Sequence, residues 1–230
     1  MASPARFTKG VSNVAPNGCL SMFGGLDPTK YHLFFDDFDN YVAADWTVTE
    51  TGVATQALAD GDGGLLLVTN AALDNDASFQ QKVGESFLIE AGKKAWFKTR
   101  FKVSDATQSD IAIGLQVTDT TPLAVTDGIW FRKDDGDALI DVVVQKDDTT
   151  GKNEQTSVAT LVSDTFISLG WYYDGAGNLE VFVDDVKKAT LTASSTYLPD
   201  TDLTVSFGIQ NGEAVAKTMT LDYIFAAKER

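Results

Sequence analysis

The chain has 230 residues, with 33 acidic against 18 basic side chains and a net charge of −15. That excess repels phosphate backbones and argues against a nucleic-acid partner, and no run of 18 apolar residues is present to cross a membrane. One cysteine, Cys19, and one histidine, His32, exclude an internal disulfide and a histidine-rich metal site.

Residues 1–31 read as an extended arm, separate from a domain over 32–230. The arm carries Arg6, Lys9 and Lys30 against Asp27, a net +2, which leaves −17 on the rest. It holds three of the five prolines and no strand or helix period longer than a few residues. It also holds Phe7, Val11, Val14, Leu20, Met22 and Phe23, more apolar side chains than a solvated linker needs. Docking on a neighbouring subunit or a partner would account for them. The first thirty residues lack an apolar core of signal-peptide length, so the N-terminus is expected to be kept. A lone thiol fits a reducing cytosol.

Over the whole chain, 26 Asp against 7 Glu and 53 β-branched residues point to strands joined by Asp-rich turns. In chain order the predicted strands are 33–38, 46–50, 64–69, 78–83, 95–103, 110–118 and 128–132. They continue at 138–145, 155–161, 166–173, 179–183, 187–191, 203–210 and 218–225. Between them, 60–64 (Asp-Gly-Asp-Gly-Gly), 134–137, 174–178 and 211–213 supply residues that tolerate left-handed backbone. Alternation assigns faces: Phe97, Thr99, Phe101 and Val103 oppose Lys98, Arg100 and Lys102, and Ile111, Ile113 and Leu115 share one side. Two sheets packed face to face would bury these rows. No linker divides 33–225, so one large sandwich is predicted, with the first and last strands pairing to close it.

Three segments carry a resemblance. Phe34-Phe35-Asp36-Asp37-Phe38-Asp39 with Asp45-Trp46-Thr47-Val48 resembles the opening strand of concanavalin A-like lectin/glucanase (laminin G-like) jelly rolls. Gly170-Trp171-Tyr172-Tyr173-Asp174-Gly175 with Leu179–Asp184 resembles their later hairpin, and Asn211-Gly212 with Leu221–Ile224 their closing strand. The resemblance implies an all-β, two-sheet antiparallel jelly-roll sandwich behind the arm. It does not imply an activity. The whole chain, including Arg6–Val14 and Asp27–Lys30, is also similar to structural proteins of tailed bacteriophages, in which such a domain decorates or cements the capsid. This implies a non-enzymatic virion protein on the capsid exterior, made in the host cytoplasm. Its partners would be the major capsid protein and its own copies, in trimers. The arm residues Arg6, Phe7, Lys9, Val11, Val14, Leu20, Met22 and Phe23 would make the attachment.

Because the fold family includes glucanases, carboxylate pairs matter. Hydrolysis needs two carboxyl groups about 5–5.5 Å or about 6.5–9.5 Å apart. Asp137 with Asp141, and Glu180 with Asp184, are four residues apart, but each pair has one member in a turn or at a hairpin end. No cofactor is expected, though Asp36, Asp37 and Asp39 beside Asp222 are the candidate ligands of a structural calcium. For a lectin-like alternative, Trp130, Trp171 and Tyr172 are the candidate sugar platforms, with Tyr173 and Tyr197 also available. Cys19 and His32 have no evident partners for nucleophilic chemistry.

Overall fold

The computed structural model describes residues 29–148 and 151–230. Its strands are β1 (Tyr31–Asp36), β2 (Trp46–Thr51), β3 (Ala54–Ala59), β4 (Leu65–Asn70), β5 (Ala77–Lys82) and β6 (Phe87–Leu88). Then come β7 (Ala95–Val103), β8 (Ser109–Gln116), β9 (Gly128–Lys133), β10 (Leu139–Lys146) and β11 (Gly151–Thr160). The last five are β12 (Ile167–Tyr173), β13 (Asn178–Val183), β14 (Val186–Thr192), β15 (Asp202–Asn211) and β16 (Thr218–Glu229). A 3-10 turn at Ala43–Asp45 leads into β2.

The strands form two antiparallel sheets. The first runs β14-β13-β12-β7-β16-β4-β3, with β1 also paired to β16. The second runs β11-β10-β9-β8-β15-β5-β2, with β6 beside β15. The expected pairing of first and last strands is present, from Tyr31 opposite Glu229 to Asp36 opposite Ile224. Two strands escape the sequence reading. β3 is half alanine, a poor strand former, and is held as an edge by register with β4. β6 is two residues long and exists through Asp202 and Leu203 of β15.

The core lies between the sheets. Phe97, Phe101, Leu169, Trp171, Tyr173 and Val181 face Ile111, Ile113, Leu115, Phe131, Val142 and Phe207, all at most 1–2% exposed. Each such side chain stabilises the fold by about 1.5–3 kcal/mol on burial. In the predicted turns the left-handed positions fall on Gly63, Gly64, Gly136, Gly175 and Gly177, while Asp147, Asp148, Asp164, Asp184 and Asp185 adopt positive φ in other connections. Lys133 is the exception to the pattern. It points inward at the end of β9, fully buried, and donates from Nζ to the Thr107 and Ser109 carbonyls.

Candidate functional site

Register places Thr47, Thr49 and Thr51 of β2 on the outer face of the second sheet. Beside them stand Ala77, Phe79 and Gln81 of β5, then Ser206, Gly208 and Gln210 of β15. Ala112 and Gly114 of β8, Trp130 and Arg132 of β9, and Asp141, Val143 and Gln145 of β10 complete the face. Two aromatic residues occupy its middle, each crowded against a glycine. A Cβ on Gly114 would stand 2.6 Å from Trp130 Cβ, and one on Gly208 would stand 2.5 Å from Phe79 Cα. Only glycine allows strands to carry rings this close to a neighbour's backbone.

The connection between β8 and β9, residues 117–127, folds back over this face. Gln116 Nε2 donates to the Pro122 carbonyl at 2.9 Å and Gln145 Nε2 to the Val125 carbonyl at 2.8 Å. Leu123 and Val125 thereby join Trp130, Phe79, Ala112 and Val143 in a second apolar cluster. Where this flap meets β2 and β5 it leaves a groove of about 310 Å³, lined by Thr49, Thr51, Phe79, Thr121, Leu123 and Gln210 among others.

Charged side chains bound the other end of the face. Arg132 pairs with Glu154 at 2.9 Å and with Asp134 at 3.2 Å. Burial raises the carboxyl of Asp141, against the opposing pull of the Ser157 N–H that it accepts at 2.7 Å. Burial likewise raises Asp110, which accepts the Asp135 N–H at 2.8 Å.

Trp130, Trp171, Tyr172 and Tyr173 are withdrawn from solvent, which corrects their reading as exposed sugar platforms, whereas Tyr197 is half-buried. Trp171 lies in the inter-sheet core against Phe97. Trp130 points outward as its parity requires but is 1% exposed beneath the 117–127 flap. Tyr172 stacks on Trp96 on the outer face of the first sheet and is 6% exposed. Tyr173 is also core. The proposed arm contacts Arg6, Phe7, Lys9, Val11, Val14, Leu20, Met22 and Phe23 lie outside the described residues.

The carboxylates chosen by spacing are engaged separately. Asp137 accepts the Leu139 N–H in a turn, Glu180 binds Lys187, and Asp184 accepts the Ser168 N–H. The calcium candidates do not converge as expected. Asp36 accepts the Phe38 N–H, whereas Asp222 pairs with Arg100 on the outer face of the first sheet. Among the described residues, the group of three carboxylates whose oxygens all lie within 4.8 Å of one another is instead Asp127, Asp147 and Asp200. Lys146 supplies positive charge there, 2.6 Å from Asp200. The sequence reading also missed that His32 Nε2 lies 2.9 Å from Ser86 Oγ, a partner 54 positions away with no local signal.

No protein-family model and no curated protein matches the chain. Solved structures do. The GH16 protein of the Bacteroides ovatus mixed-linkage glucan PUL superposes with a TM-score of 0.62 at 14% identity, covering 84% of this chain and 99% of that one. Peanut lectin gives 0.58 at 12%, covering 86% and 97%. A Shewanella oneidensis MR-1 protein of unknown function gives 0.61 at 12%, covering 87% of each chain. The chain has the two-sheet jelly-roll fold of concanavalin A-like lectins and glucanases. At these identities the likeness concerns the fold alone.

Proposed function

We propose that the chain is a non-enzymatic virion protein that decorates the head of a tailed phage. Residues 1–31 hold it to the major capsid protein, and repeated copies, grouped as trimers, cover the lattice. The resemblance read from the sequence, carried by Arg6–Val14 and Asp27–Lys30, motivates this reading. The observation that supports it over an enzyme is the cover that the 117–127 flap puts on the outer face of the second sheet. Trp130, Leu123 and Val125 cover the middle of that face, leaving the short groove beside β2. Asp110 and Asp141, the carboxylates made more basic by burial on that face, stand on strands separated by β9 and each accepts a backbone N–H. Many weak arm contacts on a lattice gain avidity of about 10²–10⁴ over one contact. The test is electron microscopy of purified particles, together with rebinding of a chain lacking residues 1–28. Density for the jelly roll on the capsid exterior, and loss of binding on truncation, are expected. Absence of the chain from particles, or unchanged occupancy by the truncated chain, would overturn the reading.

A second reading, a carbohydrate-binding module, draws on the groove under the flap. Its threonine hydroxyls, the Gln210 amide and the Phe79 ring offer both hydrogen bonds and an apolar wall. A glycan array tests it: binding that disappears with Gln210→Ala and Thr49→Val would support it, and an array without hits would remove it.

A further inference from the structure

The 117–127 flap is fastened to the sheet beneath it by side-chain amides from three strands. Gln81 of β5 donates to the Val117 carbonyl at 3.1 Å and accepts the Asp119 N–H at 3.0 Å. Gln116 of β8 holds the Pro122 carbonyl and Gln145 of β10 the Val125 carbonyl. The main-chain bonds lie mostly at the flap's base, where Val117 N–H donates to the Asp127 carbonyl and Asp148 N–H to the Thr126 carbonyl, each at 3.0 Å. Ala124 N–H donates within the flap, to the Thr121 carbonyl. Under the flap, Ser206 of β15, Gly114 of β8 and Trp130 of β9 stand in one cross-strand row, with Gln116 two residues on from Gly114. Trp130 Nε1, Gln116 Oε1 and Ser206 Oγ each expose less than 1 Å², so no water reaches them, and among the described residues none has a hydrogen-bond partner. Buried polar atoms are nearly always satisfied. Three orphans on one face, a donor, an acceptor and a hydroxyl that serves as either, are groups set for a partner that the closed flap keeps out.

We infer that the flap is a lid, which opens about its two ends while the sheets stay packed and uncovers Trp130, Gln116 and Ser206 to a polyhydroxy ligand. The chemistry of the row selects that class: an indole ring offers a flat apolar face, and the three polar atoms meet hydroxyls as donor or acceptor. The inference rests on the carbohydrate-binding reading for its ligand and adds the regulation of that surface. The groove beside β2 is the part of the face that the closed lid leaves open. The build of the flap suits opening. Its apolar contact with the sheet is made by Val117, Leu123 and Val125, while Thr118, Thr120, Thr121 and Thr126 face solvent. Lifting it gives up a small apolar contact and a few amide bonds that water replaces, far less than parting the two sheets.

Indole hydrogen exchange tests the lid in the unaltered full-length chain. Trp130 and Trp171 are 1% and 0% exposed, so burial alone protects them equally. The Trp130 Nε1–H resonance is assigned by its loss in Trp130→Phe. It is expected to exchange at least about tenfold faster than that of Trp171, at a rate that low denaturant leaves unchanged. Equal rates, or a Trp130 rate that climbs with denaturant as global unfolding does, would overturn the inference. A glycan array then compares the parent with Leu123→Asp, which loosens the lid from its own side; Leu123→Ser replaces it if the aspartate variant does not fold. Array signals should rise severalfold in the loosened chain and fall back when Ser206→Ala is added. Hits that stay level in the loosened chain would overturn the lid and leave the carbohydrate reading standing, whereas an array silent for both proteins would remove both.

Discussion

Trp171 and Phe97 stack across β12 and β7 with ring centroids 5.9 Å apart and planes 18° from parallel, inside the sandwich. One residue along each strand, Tyr172 and Trp96 stack in the same manner on the outside. The two pairs share one piece of sheet, and pleat parity alone separates them. Truncating Trp171 opens a large void between sheets that cannot collapse. Trp171→Ala is therefore expected to lose about 3–5 kcal/mol of stability in urea unfolding, against much less for Tyr172→Phe.

The contact between Gly208 and β5 yields a sharper test of the second sheet. A side chain at Gly208 meets Phe79 and the Ser78 carbonyl, both too close to accommodate a methyl group without strand movement. Gly208→Ala should destabilise by about 1–3 kcal/mol, although alanine is ordinarily the better strand residue. Thermal unfolding decides it; a neutral or stabilising outcome would mean that the two strands separate readily.

Asp105 makes stability depend on acid. Partial burial pushes its carboxyl upward, but the Gln108 N–H, the Lys217 ammonium and the Thr107 N–H together bring it down to about 2. A pKa below the unfolded value means that the ionised group stabilises the fold above about pH 4. That contribution is lost as pH falls towards 2. With allowance for its partial exposure, Asp105→Asn should cost roughly 1–2 kcal/mol at pH 7. The gap from the parent should narrow below pH 4 in denaturant titrations.

His32 is the only imidazole, so its titration can be followed by NMR without assignment. Burial, then Arg230, then Lys228 lower its pKa below the ordinary 6.5. The neutral ring is the form that suits the fold, so its contribution is present above pH 6.5 and declines as pH falls below that. The midpoint should lie under 6.5 and move upward in Arg230→Gln. A midpoint unmoved by that substitution would show that Arg230 does not act on the ring.

Much of this architecture is legible in the chain because alternation is local. The run Trp96–Val103 assigned its own faces, and the Asp-Gly turns marked where strands end. β3 was not legible because half of it is alanine, and β6 because two residues show no alternation; their neighbours' register makes them strands. Lys133 was illegible for a related reason. Its inward position would be costly for an ammonium, and it is tolerated because the Thr107 and Ser109 carbonyls replace water as acceptors. The candidate site was the least legible part. The groove joins β2, β5, β15 and the 117–127 flap, and the His32–Ser86 contact joins segments 54 positions apart.

The amino-acid sequence by itself determined an all-β sandwich, the inward rows of most of its strands, and the concentration of its −15 charge in Asp-rich turns. Tertiary structure decided what covers each outward row. Parity sends Trp130 and Tyr172 away from the core, and by sequence each was a plausible exposed platform. The 117–127 flap seals the first, and the second lies buried in its own aromatic stripe. The reason is physical: alternation follows from the two-residue pleat within a strand, whereas cover comes from segments distant in sequence, brought there by the packing of whole sheets.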